Sequence, residues 1–279
     1  MQSTSLNGFL VRDDQSWLQC LENSYDALRT SWQGEWVGLP VVLAQCVQYL
    51  GLNHDAISLP AFQMLKAANR VAHQIENAFA QEGSEAEPPY HNRLHFADAI
   101  TTISLQIAIQ SRLSQQSNED WAACALLASI AHDFCHNGRI NQFESEIERH
   151  SVDMLRPILD ECGVTGIWRE WTEQCIIRSE FALVHQNHMA VKGTQFEWDL
   201  KWLIVFINES DVMASASTKF GIGMGKALAR EWKKINFEAH QTVATPAGRK
   251  GFLEMIMFSS PASLELGIQV AVDQEIKEL

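Results

Sequence analysis

The sequence predicts an all-α protein. Apolar residues recur at three- and four-residue spacing in segment after segment, and glycines, prolines or polar clusters separate these segments. The chain has no convincing run of alternating apolar and polar residues, the pattern typical of strands. Its 279 residues, of which 46% are hydrophobic, are enough to bury a sizeable core. We therefore expect a compact multi-helix fold, with residues 1–279 as a single domain.

Three amphipathic helices are predicted at the N-terminal end, within residues 1–80. The apolar spacing places them at residues 16–32, 37–52 and 60–80. Residues 81–89 are polar and end in two prolines, so they form the best loop in the chain. This loop is the only candidate boundary between the N-terminal helices and the segment 88–267, which carries the chemically informative motifs.

The remaining helices are predicted from the same periodicity, with Asn118 as an N-cap, Pro157 as a kink or break and Gly163 as a C-terminal stop. A glycine-rich stretch at residues 221–226 is expected to be a flexible loop. The predicted helices span residues 97–113, 121–130, 144–162, 168–184, 195–217, 227–239, 250–258 and 261 to the C-terminus.

Charge and cysteine usage narrow the class of protein. The net charge of −13 argues against binding to nucleic acid backbone. The six cysteines are scattered without C-x-x-C spacing, which is typical of reduced thiols in a cytoplasmic protein. No signal peptide and no apolar run of about 18 residues is evident, so we expect a cytoplasmic protein without a membrane span.

A His-Asp pair ends the apolar segment 121–130. His132 and Asp133 leave a predicted core helix together, and a buried pair of this kind needs a partner. A divalent metal is the most economical one, although a hydrogen-bonded histidine at a capped helix end is the plain alternative. His136 follows four residues later and shares a face with His132 if the helix continues.

A second histidine pair lies about forty residues upstream. Pro88 and Pro89 stop the preceding segment, and a helix beginning near Tyr90 would place His91 and His95 one turn apart on one face. Together with the His-Asp pair, these histidines predict a site for a borderline or hard divalent ion.

These two stretches resemble the signatures of a known family. The similarity extends over residues 88–267, and it is to class I cyclic-nucleotide phosphodiesterases, within the HD superfamily of metal-dependent phosphohydrolases. It implies an all-α HD/PDEase-like domain that hydrolyses a phosphodiester of a nucleotide or cyclic nucleotide. The motifs that carry the resemblance are Tyr90-His91-Asn92-x-x-His95-x-x-Asp98 and His132-Asp133-x-x-His136-x-Gly138-x-x-Asn141-Gln142-Phe143.

The resemblance also implies a metal set. It adds Asp211, on the helix 195–217, to the motif residues, and Glu209 is the local competitor for that role. We expect two divalent ions of the Zn, Mg, Mn, Fe or Ni type, bridged by a carboxylate with two oxygens. The implied ligands of the first ion are His95, His132, Asp133 and Asp211. The residues implied to orient water on the second are His136, Asn141 and either Glu146 or Glu148.

The implied chemistry is hydrolysis by a metal-bridging hydroxide. His91 matches the family's general acid, which protonates the leaving alkoxide. A nucleotidase or other phosphomonoesterase of the same superfamily is the alternative enzyme, and a catalytically silent metal- or nucleotide-binding regulatory module is the alternative of another class. An intact His91 favours catalysis. The expected partner is a small phosphoester, with a homodimer possible and no membrane or nucleic acid partner.

The substrate-binding residues implied by the resemblance are Tyr90, Arg249 and Phe252. Phe252 falls where the family clamps a purine, although an ordinary core position is an equally good interpretation. Arg249 stands where the family has a glutamine, and a guanidinium only donates hydrogen bonds whereas an amide can serve either purine edge. This departure makes cyclic AMP and cyclic GMP doubtful as natural substrates.

Overall fold

The helices of the chain pack around α4, its most deeply buried long helix. The computed structural model describes residues 6–12, 15–82 and 87–279, and these residues form helices without any strand, so the all-α prediction is confirmed. None of the described helices is long and apolar enough to cross a membrane. The helices are α1 (Trp17–Gln33), α2 (Leu39–Tyr49), α3 (Leu59–Glu82), α4 (Arg93–Ser114), α5 (Glu119–Ala131), α6 (Glu146–Cys162), α7 (Gly166–Ile177), α8 (Phe181–Val191), α9 (Leu200–Ala216), α10 (Gly221–Trp232), α11 (Phe237–Val243), α12 (Pro246–Met255), α13 (Pro261–Leu266) and α14 (Ile268–Glu278).

Three helices are buried on all sides where they approach the predicted site. In α4 every residue from 95 to 107 is buried, in α5 every residue from 121 to 131, and in α9 every residue from 202 to 210. A helix that is apolar or small all round must be covered by neighbours. Helix α4 accordingly packs against α1, α2, α5, α9 and α13. The N-terminal end of α4, the C-terminal end of α5 and the last half of α9 provide the site residues.

The N-terminal helices support α4 through buried ion pairs. Arg29 on α1 donates two hydrogen bonds of 2.8 Å to the Asp98 carboxylate on α4, and the Asp98 side chain is only 2% exposed. Arg93, at the first position of α4, contacts Glu76 of α3 and donates a 3.0 Å hydrogen bond to Glu87. Residues outside the two motifs therefore fix the helix that carries the first of them.

The predicted caps are observed where a polar side chain or a glycine supplies them. The side chain of Asn118 accepts from the Trp121 N–H, as expected for the start of α5. Gly163 ends α6 in the left-handed region, with φ of 76°. Helix α6, however, continues through Pro157 without a break.

Several predicted helix boundaries were wrong. The helix expected near Tyr90 begins at Arg93, because the side chain of Asn92 accepts hydrogen bonds from the first turn. Helix α5 ends at Ala131, so His136 shares no helix face with His132. The glycine-rich stretch is the start of α10 rather than a loop. Residues 168–184 and 227–239 each span two helices, and Gly267 divides the last predicted helix.

Candidate metal centre

Four predicted ligands from three separate parts of the chain converge on one point. The donor atoms of His95, His132, Asp133 and Asp211 all lie within 4.8 Å of one another. The Nε2 atoms of His95 and His132 are 3.3 Å apart. The Oδ2 of Asp133 lies 3.3 Å from the Nε2 of His95 and 3.1 Å from that of His132. The Oδ1 of Asp211 lies 3.2 Å from the Nε2 of His95 and 3.5 Å from that of His132.

This spacing fits a single metal ion. Ligands bound at about 2.1 Å in tetrahedral or octahedral geometry have neighbouring donor atoms about 3.0–3.4 Å apart. Two imidazoles and two carboxylates together form a donor set for a borderline or hard divalent cation. The two histidines are 1% and 2% exposed at the side chain, whereas the two aspartates are 14% and 26% exposed. The open side of the site is therefore the carboxylate side.

Local structure aims each ring at this point. The N-cap bond from Asn92 orients the first turn of α4, on which His95 lies. His132 follows the last residue of α5, and its Nδ1 lies 2.7 Å from the carbonyl oxygen of Ser129. Because a carbonyl only accepts, Nδ1 of His132 carries a proton, and its Nε2 faces the other ligands.

The electrostatics of the cluster match a site that binds a cation. Burial opposes a charge on His95, but hydrogen bonds to Asp133 and Asp211 outweigh burial and raise the pKa of His95 to about 9. The pKa of His132 is raised well above its ordinary value in the same way, against its burial. The pKa of the Asp211 carboxyl is lowered by the two histidines despite burial. Without metal, the carboxylates thus hold protons on both imidazoles.

Glu209, the competitor of Asp211, has a different role. Its carboxylate is fully buried and accepts hydrogen bonds from the backbone N–H groups of Ser259 and Ser260, at 2.5 and 2.8 Å. The hydroxyl of Ser263 and the amide of Gln106 donate to its other oxygen. Glu209 therefore joins α9 to the start of α13 and to α4, and its oxygens are already satisfied.

His91 lies beside the four-residue cluster and is held by a residue that the sequence analysis missed. Its Nδ1 forms a hydrogen bond with the Oε1 of Glu231, on α10, and its Nε2 is 3.9 Å from the Oδ2 of Asp133. The other oxygen of Glu231 accepts the backbone N–H groups of Tyr90 and His91, at 2.8 and 3.1 Å. Burial alone would raise the pKa of the Glu231 carboxyl. The His91 ring and these hydrogen bonds outweigh burial and lower the pKa below its ordinary value, so the carboxylate is ionised.

His136 stacks on His91 instead of joining the four ligands. The two ring centroids are 3.8 Å apart and the ring planes make an angle of 26°. Nδ1 of His136 accepts a 3.0 Å hydrogen bond from the backbone N–H of Gly138. Burial, assisted by the nearby His91, lowers the pKa of His136 to about 4, so the ring is neutral with its proton on Nε2. His136 thus has an N–H group to donate, at Nε2.

The two glutamates that the sequence left open have different surroundings. The Oε2 of Glu148 accepts a 2.8 Å hydrogen bond from the side-chain amide of Asn141. Burial raises the pKa of Glu148, and the charge of Asp133 adds to this effect. The Oε2 of Glu146 instead accepts the backbone N–H of Gln142, at 2.9 Å. Of the two, Glu148 therefore contacts Asn141, the other residue implied for the second ion, and its pKa is influenced by Glu180 and, less strongly, by Asp133.

The three predicted substrate-binding residues border one small cavity next to the cluster. Tyr90 and Phe252 line it, and the Tyr90 hydroxyl is 2.9 Å from the Ser215 hydroxyl on α9. Arg249 also borders the cavity but is 8% exposed, and its guanidinium contacts the backbone oxygen of Ser215 and the Glu275 carboxylate. The expected role of Arg249 in substrate binding is therefore not supported, because the fold already uses these donors.

The comparison with protein families agrees with this geometry. The sequence profile of the family described as 3′5′-cyclic nucleotide phosphodiesterase matches residues 90–154. The matched segment contains His91, His95, His132 and Asp133 but not Asp211 or Glu231. No curated protein matches the chain. The chain thus resembles the catalytic domain of class I cyclic-nucleotide phosphodiesterases, and the match supports a phosphodiesterase-type hydrolase in general.

Proposed function

We propose that the protein is a metal-dependent phosphodiester hydrolase in which His91 is the general acid. The observation that carries the proposal is the convergence of four donor atoms from α4, the end of α5 and α9, at spacings of 3.1–3.5 Å. Burying two carboxylates at this distance is costly unless positive charge neutralises them, and a divalent cation bound by both imidazoles and both carboxylates supplies that charge. The resemblance over residues 90–154 supports the phosphodiesterase-type reaction.

In this proposal, His95, His132, Asp133 and Asp211 hold one divalent ion. The amide of Asn141, the carboxylate of Glu148 and the Nε2–H of His136 would hold a second ion beside Asp133 through water. Ions of the Zn, Mg, Mn, Fe or Ni type would, when bound, supply a nucleophile from water at neutral pH and stabilise charge on the phosphoryl oxygens.

The proposed role of His91 follows from its hydrogen bond to Glu231. Since the carboxylate of Glu231 is ionised, it accepts the Nδ1–H of His91 and leaves Nε2 to carry the proton that is transferred. Nε2 is on the side of the ring toward Asp133, where the ester binds in this proposal. A positioned acid is needed because an alkoxide is a poor leaving group without a proton. Glu231 acts through His91 and is a positioning residue.

The experiment that tests the proposal is metal analysis combined with an ester panel. The purified protein is expected to retain divalent metal and to hydrolyse p-nitrophenyl phosphodiesters and cyclic nucleotides after reconstitution with Zn, Mg, Mn, Fe or Ni. Hydrolysis of phosphomonoesters alone would favour the nucleotidase. Bound metal without turnover of any ester would favour a regulatory module and contradict the proposal.

A further inference from the structure

The guanidinium of Arg249 is committed to the fold at the position where a base-reading side chain was expected. From α12 it contacts the Ser215 carbonyl and donates 3.2 Å hydrogen bonds to the carbonyls of Ala216 and Ser217. It also donates to both carboxylate oxygens of Glu275, at 2.8 and 2.9 Å. The carbonyls of Ser215 and Ala216 lie in the last turn of α9 and need such donors, whereas that of Ser217 also accepts the N–H of Gly221, at 2.8 Å. Arg249 therefore closes the C-terminal end of the helix that carries Asp211.

Gly221 makes this arrangement possible. A Cβ atom at Gly221 would collide with the Ser215 oxygen and lie 2.6 Å from the Cζ of Arg249. Only a residue without a side chain lets the guanidinium reach the end of α9. This requirement explains a glycine at the start of α10, in the stretch that the sequence analysis interpreted as a loop. Arg249 and Gly221 thus form one structural unit.

The cavity beside this unit is small and offers little for a base to bind. It has a volume of 60 Å³ and lies between Tyr90, Met224, Leu228 and Phe252. Ligand pockets usually have volumes of about 300–1,000 Å³. Its polar side-chain groups besides Arg249 are the hydroxyls of Tyr90 and Ser215, and these are hydrogen-bonded to each other.

The cavity is nevertheless next to the reacting centre. Ser215 is four residues after Asp211 on α9, about 6 Å along the helix axis. Tyr90 directly precedes His91, and the charge of Asp211 contributes to raising the Tyr90 pKa, after burial itself. This cavity is therefore within reach of a group attached to a phosphorus atom at the metal centre.

We infer that the ester group entering this cavity is small and apolar and that the protein selects its substrate without reading a nucleobase there. The inference rests on the proposed phosphodiesterase activity and adds a substrate class to it: phosphodiesters with a compact alkyl or aryl group. The physical reason is that reading a base needs free donors and acceptors opposite its edge. In this cavity the guanidinium is engaged and the two hydroxyls bond to each other, which leaves at most one O–H group to donate to a base.

The first test compares substrates with the metal-loaded wild-type protein. The panel is methyl p-nitrophenyl phosphate and the 3′,5′-cyclic monophosphates of adenosine, guanosine, cytidine and uridine. A bidentate contact to a base edge changes kcat/KM by about 5- to 150-fold. We expect the kcat/KM values of the four cyclic nucleotides to agree within about threefold, which is below that range. The kcat/KM of the methyl ester should be at least as high. A preference for one base above about tenfold would overturn the inference and leave the proposed function intact.

The second test needs no turnover. Arg249→Gln and Gly221→Ala are each expected to lower the melting temperature by about 5–10 °C, since each opens the end of α9. The double variant should lose less melting temperature than the two single losses added together, because both substitutions disrupt the same contact. Lys250→Gln, one residue away on α12, is the control and should melt with the wild type. An unchanged melting temperature for Arg249→Gln would overturn the inference, even if no ester is hydrolysed and the proposed function fails.

Discussion

The Glu231 carboxylate holds the imidazole of His91, 140 residues earlier in the chain, through a hydrogen bond to Nδ1. The same carboxylate accepts the backbone N–H groups of Tyr90 and His91, so it fixes both the ring and the segment that carries it. The side chain of Glu231 is only 3% exposed. A buried carboxylate with these three partners leaves His91 one ring nitrogen for chemistry.

Replacing Glu231 by glutamine should impair catalysis and leave metal binding unchanged. The amide keeps the size of the side chain but loses the charge that fixes the proton on Nδ1 of His91. We expect kcat for a phosphodiester with an alkyl leaving group to fall about 10- to 100-fold, the usual effect of losing such an orienting partner. Glu238→Gln, on the exposed surface of α11, is the matched control. Equal kcat in the two variants would show that Glu231 does not position His91.

Loss of one proposed metal ligand should remove both metal and stability. His132→Ala is expected to bind less metal and to melt at a lower temperature than the wild type in excess metal, because an ion that binds only the folded state stabilises it. Metal content by mass spectrometry and thermal melts measure the two effects. His185→Ala, at an exposed position on α8, should change neither. Equal melting temperatures for His132→Ala and the wild type would contradict the assignment.

The two candidate glutamates offer a matched pair. Glu148→Gln should weaken binding of the second metal equivalent, or lower kcat/KM, about 10- to 100-fold, because a residue that orients metal-bound water typically contributes this much. Glu146→Gln should change either quantity less than about threefold, since Glu146 contacts only the backbone at Gln142. Isothermal titration with metal and steady-state kinetics measure the difference. A larger effect for Glu146 would reverse the assignment.

The stability of the metal-free protein should fall as the pH rises above 6.5. The pKa of His95 is about 9 in the folded protein, against an ordinary value of 6.5. The folded state therefore binds the proton more tightly, and this contribution is complete below pH 6.5 and lost as the pH rises through 9. Between pH 6.5 and 8.5, the free energy of unfolding should decrease by about 2 kcal/mol.

Urea unfolding in the presence of a chelator measures this loss, and the metal-loaded protein is the control. Buried thiols titrate alike in both forms, so the difference between the two forms isolates the metal centre. Metal binding should strengthen over the same range, because the ion displaces protons from the imidazoles. A constant difference between the forms from pH 6.5 to 8.5 would contradict the proton-binding account.

The sequence predicted the all-α class and the residues that converge. The two His motifs were recognisable because their chemistry is concentrated within a few consecutive positions. Asp211 required the family resemblance, since a lone aspartate on an apolar helix is ambiguous. Glu209, two residues earlier, was the local competitor, and its hydrogen bonds to Ser259 and Ser260 give it a different role.

The parts that the sequence did not predict depend on long-range contacts. Glu231 is an ordinary glutamate on an amphipathic helix, and only folding brings it to His91. Arg249 acquired a structural role through carbonyls at the end of another helix, which no local pattern reveals. His188, which has no partner at metal-ligand spacing in the sequence, is buried with its Nδ1 2.7 Å from the Ser259 hydroxyl. The start of α4 was placed too early, near Tyr90, because the prediction relied on Pro88 and Pro89. The side chain of Asn92 caps the helix instead, so it begins at Arg93.

The role of His91 as general acid is tested most directly by how the turnover of His91→Ala depends on the leaving group of the ester. The metal-loaded variant is compared with the wild type on two phosphodiesters, one with an alkyl leaving group and one with p-nitrophenolate. We predict that turnover of the alkyl ester falls by about 10²–10⁴-fold, whereas the p-nitrophenyl ester, which departs without a proton, loses much less and the metal content is unchanged. An equal loss for both esters with metal retained would contradict the assignment of His91 as general acid.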